Sequence, residues 1–124
     1  MSADPETTNG RLVERYFAAM RVGAAAEDDM LSLFTDDAEY VEPFSGSPEP
    51  ALGRAAIRDR LRSGWAAPPP DMELDVESVV VDGDRATSTW ECRSPAFPRP
   101  VRGLDEYEFR DGRISRLVVR ITPD

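Results

Sequence analysis

Between Arg11 and Met20 the apolar residues Leu12, Val13, Tyr16, Phe17 and Met20 recur three and four apart, while Arg11, Glu14 and Arg15 fall mostly on the other side. That spacing predicts an amphipathic helix. Thr8 or Asn9 stands where a cap is wanted, and Gly23 where a helix ends. A second, short helix is expected from Asp28 or Asp29, with Met30, Leu31, Leu33 and Phe34 on its buried side. Thr35-Asp36-Asp37 reads as a turn, and Ala38–Glu42 as a short strand stopped by Pro43. After a proline- and glycine-rich loop, Gly53-Arg54 opens a third helix whose apolar positions are Ala55, Ile57, Leu61 and Trp65.

From Met72 onward the period changes to two. Strands are predicted over Met72–Val81, Arg85–Arg93, Val101–Phe109 and Arg113–Ile121. Asp82-Gly83-Asp84 and Arg110-Asp111-Gly112 form the tight turns between them. Pro95, Pro98 and Pro100 break the chain between the second and third of these strands. Three helices and then a meander predict an α+β fold, with helices packed on one face of a curved antiparallel sheet. At 124 residues the chain is one domain's worth, expected as a loose segment over residues 1–8 and a single domain over residues 9–124.

Composition narrows the chemistry. With 24 acidic against 15 basic residues the net charge is -9, which argues against nucleic acid or an anionic membrane as a main partner. The chain has no histidine and one cysteine, Cys92. Histidine-dependent triads, histidine-ligated metals and internal disulfides are therefore excluded. Cys92 reads as a small buried hydrophobe. No apolar run approaches the ~18 residues of a membrane span, and no leader is apparent, so a cytoplasmic protein is expected.

Three polar residues stand out. In Val101–Phe109 strict alternation puts Gly103, Asp105, Tyr107 and Phe109 on the apolar face, so Asp105 points where a carboxyl must be hydrogen-bonded, paired or protonated. Pairing with Arg93 or Arg120 is one solution, and a protonated or ligand-facing acid is the other. Tyr16 lies on the buried side of the first helix, either as a core tyrosine or as a polar group aimed into a pocket. Glu42 ends its strand before Pro43, either solvated or catalytic.

The stretch "FTDDAEYVEPFSGSPEPALGRAAIRDRL" resembles the ketosteroid isomerase and SnoaL-like group of the NTF2-like superfamily. The likeness runs from about Arg11 to Ile121, through "ERYFAAM" and "GLDEYEFRDGRI". It implies a cone-shaped NTF2-like (cystatin-like) fold that commonly forms homodimers through the outer faces of its sheets. It further implies that Glu42 is a catalytic base and that Tyr16 and Asp105 donate hydrogen bonds to an enolate oxygen, without metal or cofactor. Phe17, Met20, Phe34, Phe44, Leu61, Trp65, Trp90, Tyr107 and Val119 are the expected lining of a hydrophobic pocket. Two positions where the isomerases carry supporting tyrosines are Phe34 and Leu61 here.

The expected function is proton transfer next to a carbonyl of a small hydrophobic molecule, as in a steroid isomerase. A SnoaL-like polyketide cyclase and an epoxide-hydrolase-like enzyme are cousins of that reading. The alternative is a non-catalytic protein that binds a small ligand or dimerises.

Overall fold

The computed structural model describes residues 5–122. Of the segment expected to be loose, residues 1–4 lie outside the described residues, whereas Pro5–Thr8 are helical: helix α1 spans Pro5–Val22. Proline is favoured in the first turn of a helix, where its missing N–H is no loss. Asn9, a candidate cap, is instead buried within the helix, and its Nδ2 donates to the Gly83 carbonyl at 2.8 Å. That bond ties α1 to the first hairpin turn.

A turn of 3-10 helix over Ala24–Ala26 leads into α2 (Glu27–Ser32). The expected turn at Thr35-Asp36-Asp37 does not form. Strand β1 runs over Phe34–Val41, so Phe34 belongs to a strand rather than to the second helix. Its backbone has strand partners that local pattern does not reveal: Phe34 pairs with Ile114, and the Ile114 N–H donates to the Leu33 carbonyl at 2.7 Å. Arg54 holds the Phe34 carbonyl from the other side, through Nε at 3.1 Å and Nη2 at 2.6 Å. Its Nη1 also pairs with Asp36 at 2.9 Å.

A two-residue strand β2 (Ala51–Leu52), absent from the sequence reading, pairs with β1 and leads into α3 (Arg54–Trp65). The meander follows as β3 (Glu73–Asp82), β4 (Arg85–Arg93), β5 (Val101–Arg110) and β6 (Arg113–Ile121). Both hairpin turns have the predicted residues: Gly83 takes φ 61°, and Asp111-Gly112 take φ 54° and 74°. Left-handed values at both central residues give the turn whose twist matches the flanking strands.

The strand order is β2-β1-β6-β5-β4-β3. The sheet is mixed rather than wholly antiparallel, because β1 runs parallel to β6. Strong curvature is visible in one contact. Phe44, just after β1, lies 6.3 Å from the Trp90 ring on β4, although β6 and β5 separate those strands in the sheet. The chain therefore forms an unclosed cone with the helices on its inner face.

The core fills that cone. Val13, Met30, Leu33, Phe34, Ile57, Ile114 and Leu117 are fully buried. Each such large side chain contributes about 1.5–3 kcal/mol through burial. On the outer face Leu104 is half-buried and Val118 only 6% exposed, among the charged Glu106, Arg116 and Arg120. Arg120 pairs with Glu106, Arg116 with Glu39 and Glu108, and Arg93 with Glu73, Asp75 and Glu91. Among the described residues no helix is long and apolar enough to cross a membrane.

Candidate functional site

Alternation along β4 places Ala86, Ser88, Trp90 and Cys92 inward. Along β5 it places Gly103, Asp105, Tyr107 and Phe109 inward. Register then sets Ser88 opposite Asp105, Trp90 opposite Gly103, and Val119 on β6 opposite Asp105 on its other side. Cys92 is buried and free, as a small hydrophobe would be.

Asp105 is 1% exposed and has no arginine partner. Neither Arg93 nor Arg120 reaches it, since both are taken by acids on the outer face. Its bonds are neutral instead. Trp90 Nε1 donates to Oδ1 at 3.0 Å, while Ser88 Oγ and Tyr107 Oη donate to Oδ2 at 3.0 and 3.2 Å. Ser88 and Tyr107 also meet each other at 2.7 Å. These three oxygens make three mutual contacts, but the two hydroxyls bring only two hydrogens. When Asp105 is protonated on Oδ2, the acid donates to one of the two hydroxyls and all three contacts have a hydrogen. Burial agrees with this count: it pushes the Asp105 carboxyl up to about 6, against the lowering pull of Trp90, Ser88 and Tyr107.

The chain's three tyrosines all gather here. The Tyr16 ring sits edge-on to Tyr107 at 6.1 Å, and its hydroxyl interacts with that of Tyr40. Burial raises all three phenols above their ordinary value, and nearby acid reinforces it: Asp105 for Tyr16 and Tyr107, Glu42 and then Asp105 for Tyr40. They remain neutral hydrogen-bond donors over the whole working pH range. Tyr40 and Ser88 were not expected in the site. Tyr40 supplies an interior hydroxyl to a core in which Phe34 and Leu61 have none.

Glu42 is brought close to this cluster but is fully engaged. Oε1 accepts from Arg60 Nη1 at 2.9 Å and from Ser45 Oγ at 2.5 Å. Oε2 accepts from the Phe44 and Ser45 N–H groups at 2.6 and 2.9 Å. Burial pushes its carboxyl up, but the bonds from Ser45, Arg60 and Phe44 outweigh it and hold the group below the usual range. A carboxylate so bound is a poor base and a good clamp for the turn after β1.

Of the expected lining, Phe17, Phe34, Leu61, Trp90, Tyr107 and Val119 are buried. Met20 and Trp65 are half-buried against the core. Phe44 departs from expectation, being 58% exposed on the clamped turn with one side toward Trp90. The Ser94 Oγ donates to the Pro70 carbonyl at 2.6 Å, joining the loops that follow β4 and α3. Two recesses of about 350 Å³ lie elsewhere. One is on the outer face between Val80, Thr87 and Glu106, and the other is at the hairpin ends beside Asn9 and Phe109.

A curved sheet wrapped around helices, with a cation-free acid and tyrosines at its centre, defines an NTF2-like cone with a polar pole. Comparison with known proteins agrees. The family model described as the SnoaL-like domain matches residues 13–117, and the chain belongs to that family. Among solved structures it is similar to a provisionally named ketosteroid isomerase from Kribbella flavida, at 20% identity and TM-score 0.77, covering 99% of this chain and 84% of that one. An NTF2-like protein of unknown function from Mesorhizobium loti matches at 20% identity and TM-score 0.76, covering 99% and 98%. A provisionally named polyketide cyclase from Sinorhizobium meliloti matches at 23% identity and TM-score 0.72, covering 89% and 94%. At these identities the likeness shows the fold alone. No curated protein matches the chain.

Proposed function

We propose that this SnoaL-like protein holds a small hydrophobic carbonyl compound in its cone and moves a proton next to the carbonyl, with Asp105 as the group that takes and returns it. One observation carries the reading: a buried carboxyl without a cation, raised to about 6, among hydroxyls that point inward. A proton-transfer group works best when its value lies near the working pH. The Asp105 carboxylate takes a proton from the carbon beside the carbonyl. The electrons of that C–H bond pass into the enolate, whose oxygen Tyr16 and Tyr40 stabilise by donating hydrogen bonds. Asp105 then returns the proton to another carbon, as in an isomerase, or the enolate carbon attacks a second carbonyl of the same molecule, whose π electrons pass to its oxygen and whose oxygen takes the proton back from Asp105, as in a cyclase. Glu42, engaged by four donors, supports the entry turn in this scheme rather than acting as base.

A second reading has its own support. Every hydrogen bond that Asp105 makes is internal, which favours a protein that binds a ligand or a second copy without catalysis. A fluorescence titration with equilenin, a phenolic enolate mimic, separates the two. Tight binding to the wild type that weakens in Tyr16→Phe and Tyr40→Phe, and that is kept in Asp105→Asn, is expected. No binding to the wild type would end the proton-transfer reading and leave the non-catalytic one.

A further inference from the structure

Gly103 lies directly across from Trp90 in the β4–β5 register. A side chain there has no room: a Cβ on Gly103 would lie 2.7 Å from Trp90 Cη2 and closer still to Cζ2 and Cε2. The indole thus occupies the space beside the bare backbone of Gly103 where a side chain would stand. From that seat its Nε1 reaches forward along the sheet to Asp105 Oδ1, two residues on from the glycine. Glycine within a strand weakens it, and a common reason to keep one is close approach of another group. Here the approaching group is an indole, and what the approach secures is the direction of an N–H.

We propose that Gly103 and Trp90 are positioning residues for the interior acid: the missing side chain of Gly103 seats the indole, and the indole N–H fixes Oδ1 so that Oδ2 stays with the Ser88 and Tyr107 hydroxyls. The proposal rests on Asp105 being the working group of the site, as inferred above. Its geometry links the outside of the cone to the acid. Phe44, on the turn that Glu42 and Arg60 clamp, has its ring 6.3 Å from the same indole.

The groups that face Asp105 are few. Tyr16 comes from α1, Tyr40 from β1, Ser88 and Trp90 from β4, and Tyr107 from β5. Beyond them, the charged Glu42 and Arg60 act on Tyr40. None but Trp90 donates to Oδ1, so its loss has no substitute.

Carbon-13 NMR of the aspartate carboxyls tests this without any ligand, with the Asp105 signal identified by its absence in Asp105→Asn. The wild-type signal is expected to titrate at about 6. In Trp90→Phe, which keeps the flat ring and removes only the N–H, the midpoint is expected to move up by about one pH unit or more. Gly103→Ala should do the same although the tryptophan is still present, and its Trp90 fluorescence, read in a Trp65→Phe background, should shift as the indole leaves its seat. A midpoint within about 0.3 pH unit of wild type in Trp90→Phe would overturn the proposal. If Gly103→Ala fails to fold, Trp90→Phe decides alone. The titration is independent of catalysis. A shifted midpoint in a protein that binds no equilenin would sink the proton-transfer reading and leave this one standing, and an unshifted midpoint in a protein that binds it would do the reverse.

Discussion

Replacing Asp105 by asparagine should make the protein more stable at neutral pH, although it removes the central group of the site. An unfolded aspartate titrates near 3.8, and the folded carboxyl near 6. A carboxyl raised by folding favours the folded state only while it is protonated. Its contribution is complete below about 3.8 and is lost as pH rises through about 6. At 1.36 kcal/mol per pH unit, the difference of about two units costs the wild type about 3 kcal/mol at pH 7. Asparagine has the shape of the protonated acid and cannot ionise. Its oxygen can accept from Trp90 Nε1, and its amide N–H supplies the third hydrogen that the Ser88–Tyr107 ring lacks. Urea unfolding of wild type and Asp105→Asn at pH 4 to 8 measures the difference. The variant is expected to match wild type near pH 4, to exceed it by about half the full amount at pH 5, and to level off about 3 kcal/mol higher above pH 7. A difference that does not change with pH, or a variant less stable at pH 7, would refute the raised acid and the reasoning built on it.

Glu42→Gln should have the opposite sign. It leaves Arg60 without its anion, and its single amide oxygen cannot serve both the Arg60 side and the Phe44 and Ser45 N–H side, for a loss of about 1–3 kcal/mol, with faster amide exchange over residues 43–50 as the local readout. Because the Glu42 carboxyl is held below its ordinary value of 4.5, the wild type's advantage is present in full above that value and is lost as pH falls through the lowered one. Phe44→Ala removes an exposed ring, so unfolding free energy should change by less than about 0.5 kcal/mol, while equilenin affinity drops if the turn covers the ligand.

How much of this was legible in the sequence follows from what each feature depends on. The three helices and the meander are carried by local period, and they appear close to where apolar spacing put them. The start of β1 and the whole of β2 are not local. Phe34 is strand because Ile114 and Arg54, far along the chain, engage its neighbours and its carbonyl. Asp105 was readable as a misfit in an apolar row, yet its partners were sought among arginines because charge is conspicuous in sequence. Ser88 lies in an equally apolar row, Ala86 to Cys92, and the same alternation would have exposed it. Tyr40 shares a strand face with Ala38 and was passed over for the acid two residues on. No sequence spacing reveals that Arg60, from the third helix, closes on Glu42.

The two buried carboxyls of the cone show why resemblance and geometry part at Glu42. Both acids sit within reach of Tyr40, and both are withdrawn from water. Burial raises each, so the donors around them decide the outcome. Glu42 has a guanidinium, two backbone N–H groups and a hydroxyl, and it settles low. Asp105 has an indole and two hydroxyls that must also serve each other, and it stays high. An acid held low stabilises the fold and gives up basicity. An acid held high costs stability at neutral pH and keeps a proton available for exchange. The division follows from the placing of Arg60 at one carboxyl and of no cation at the other, and the proposed proton transfer would draw on both the firm loop and the exchangeable proton.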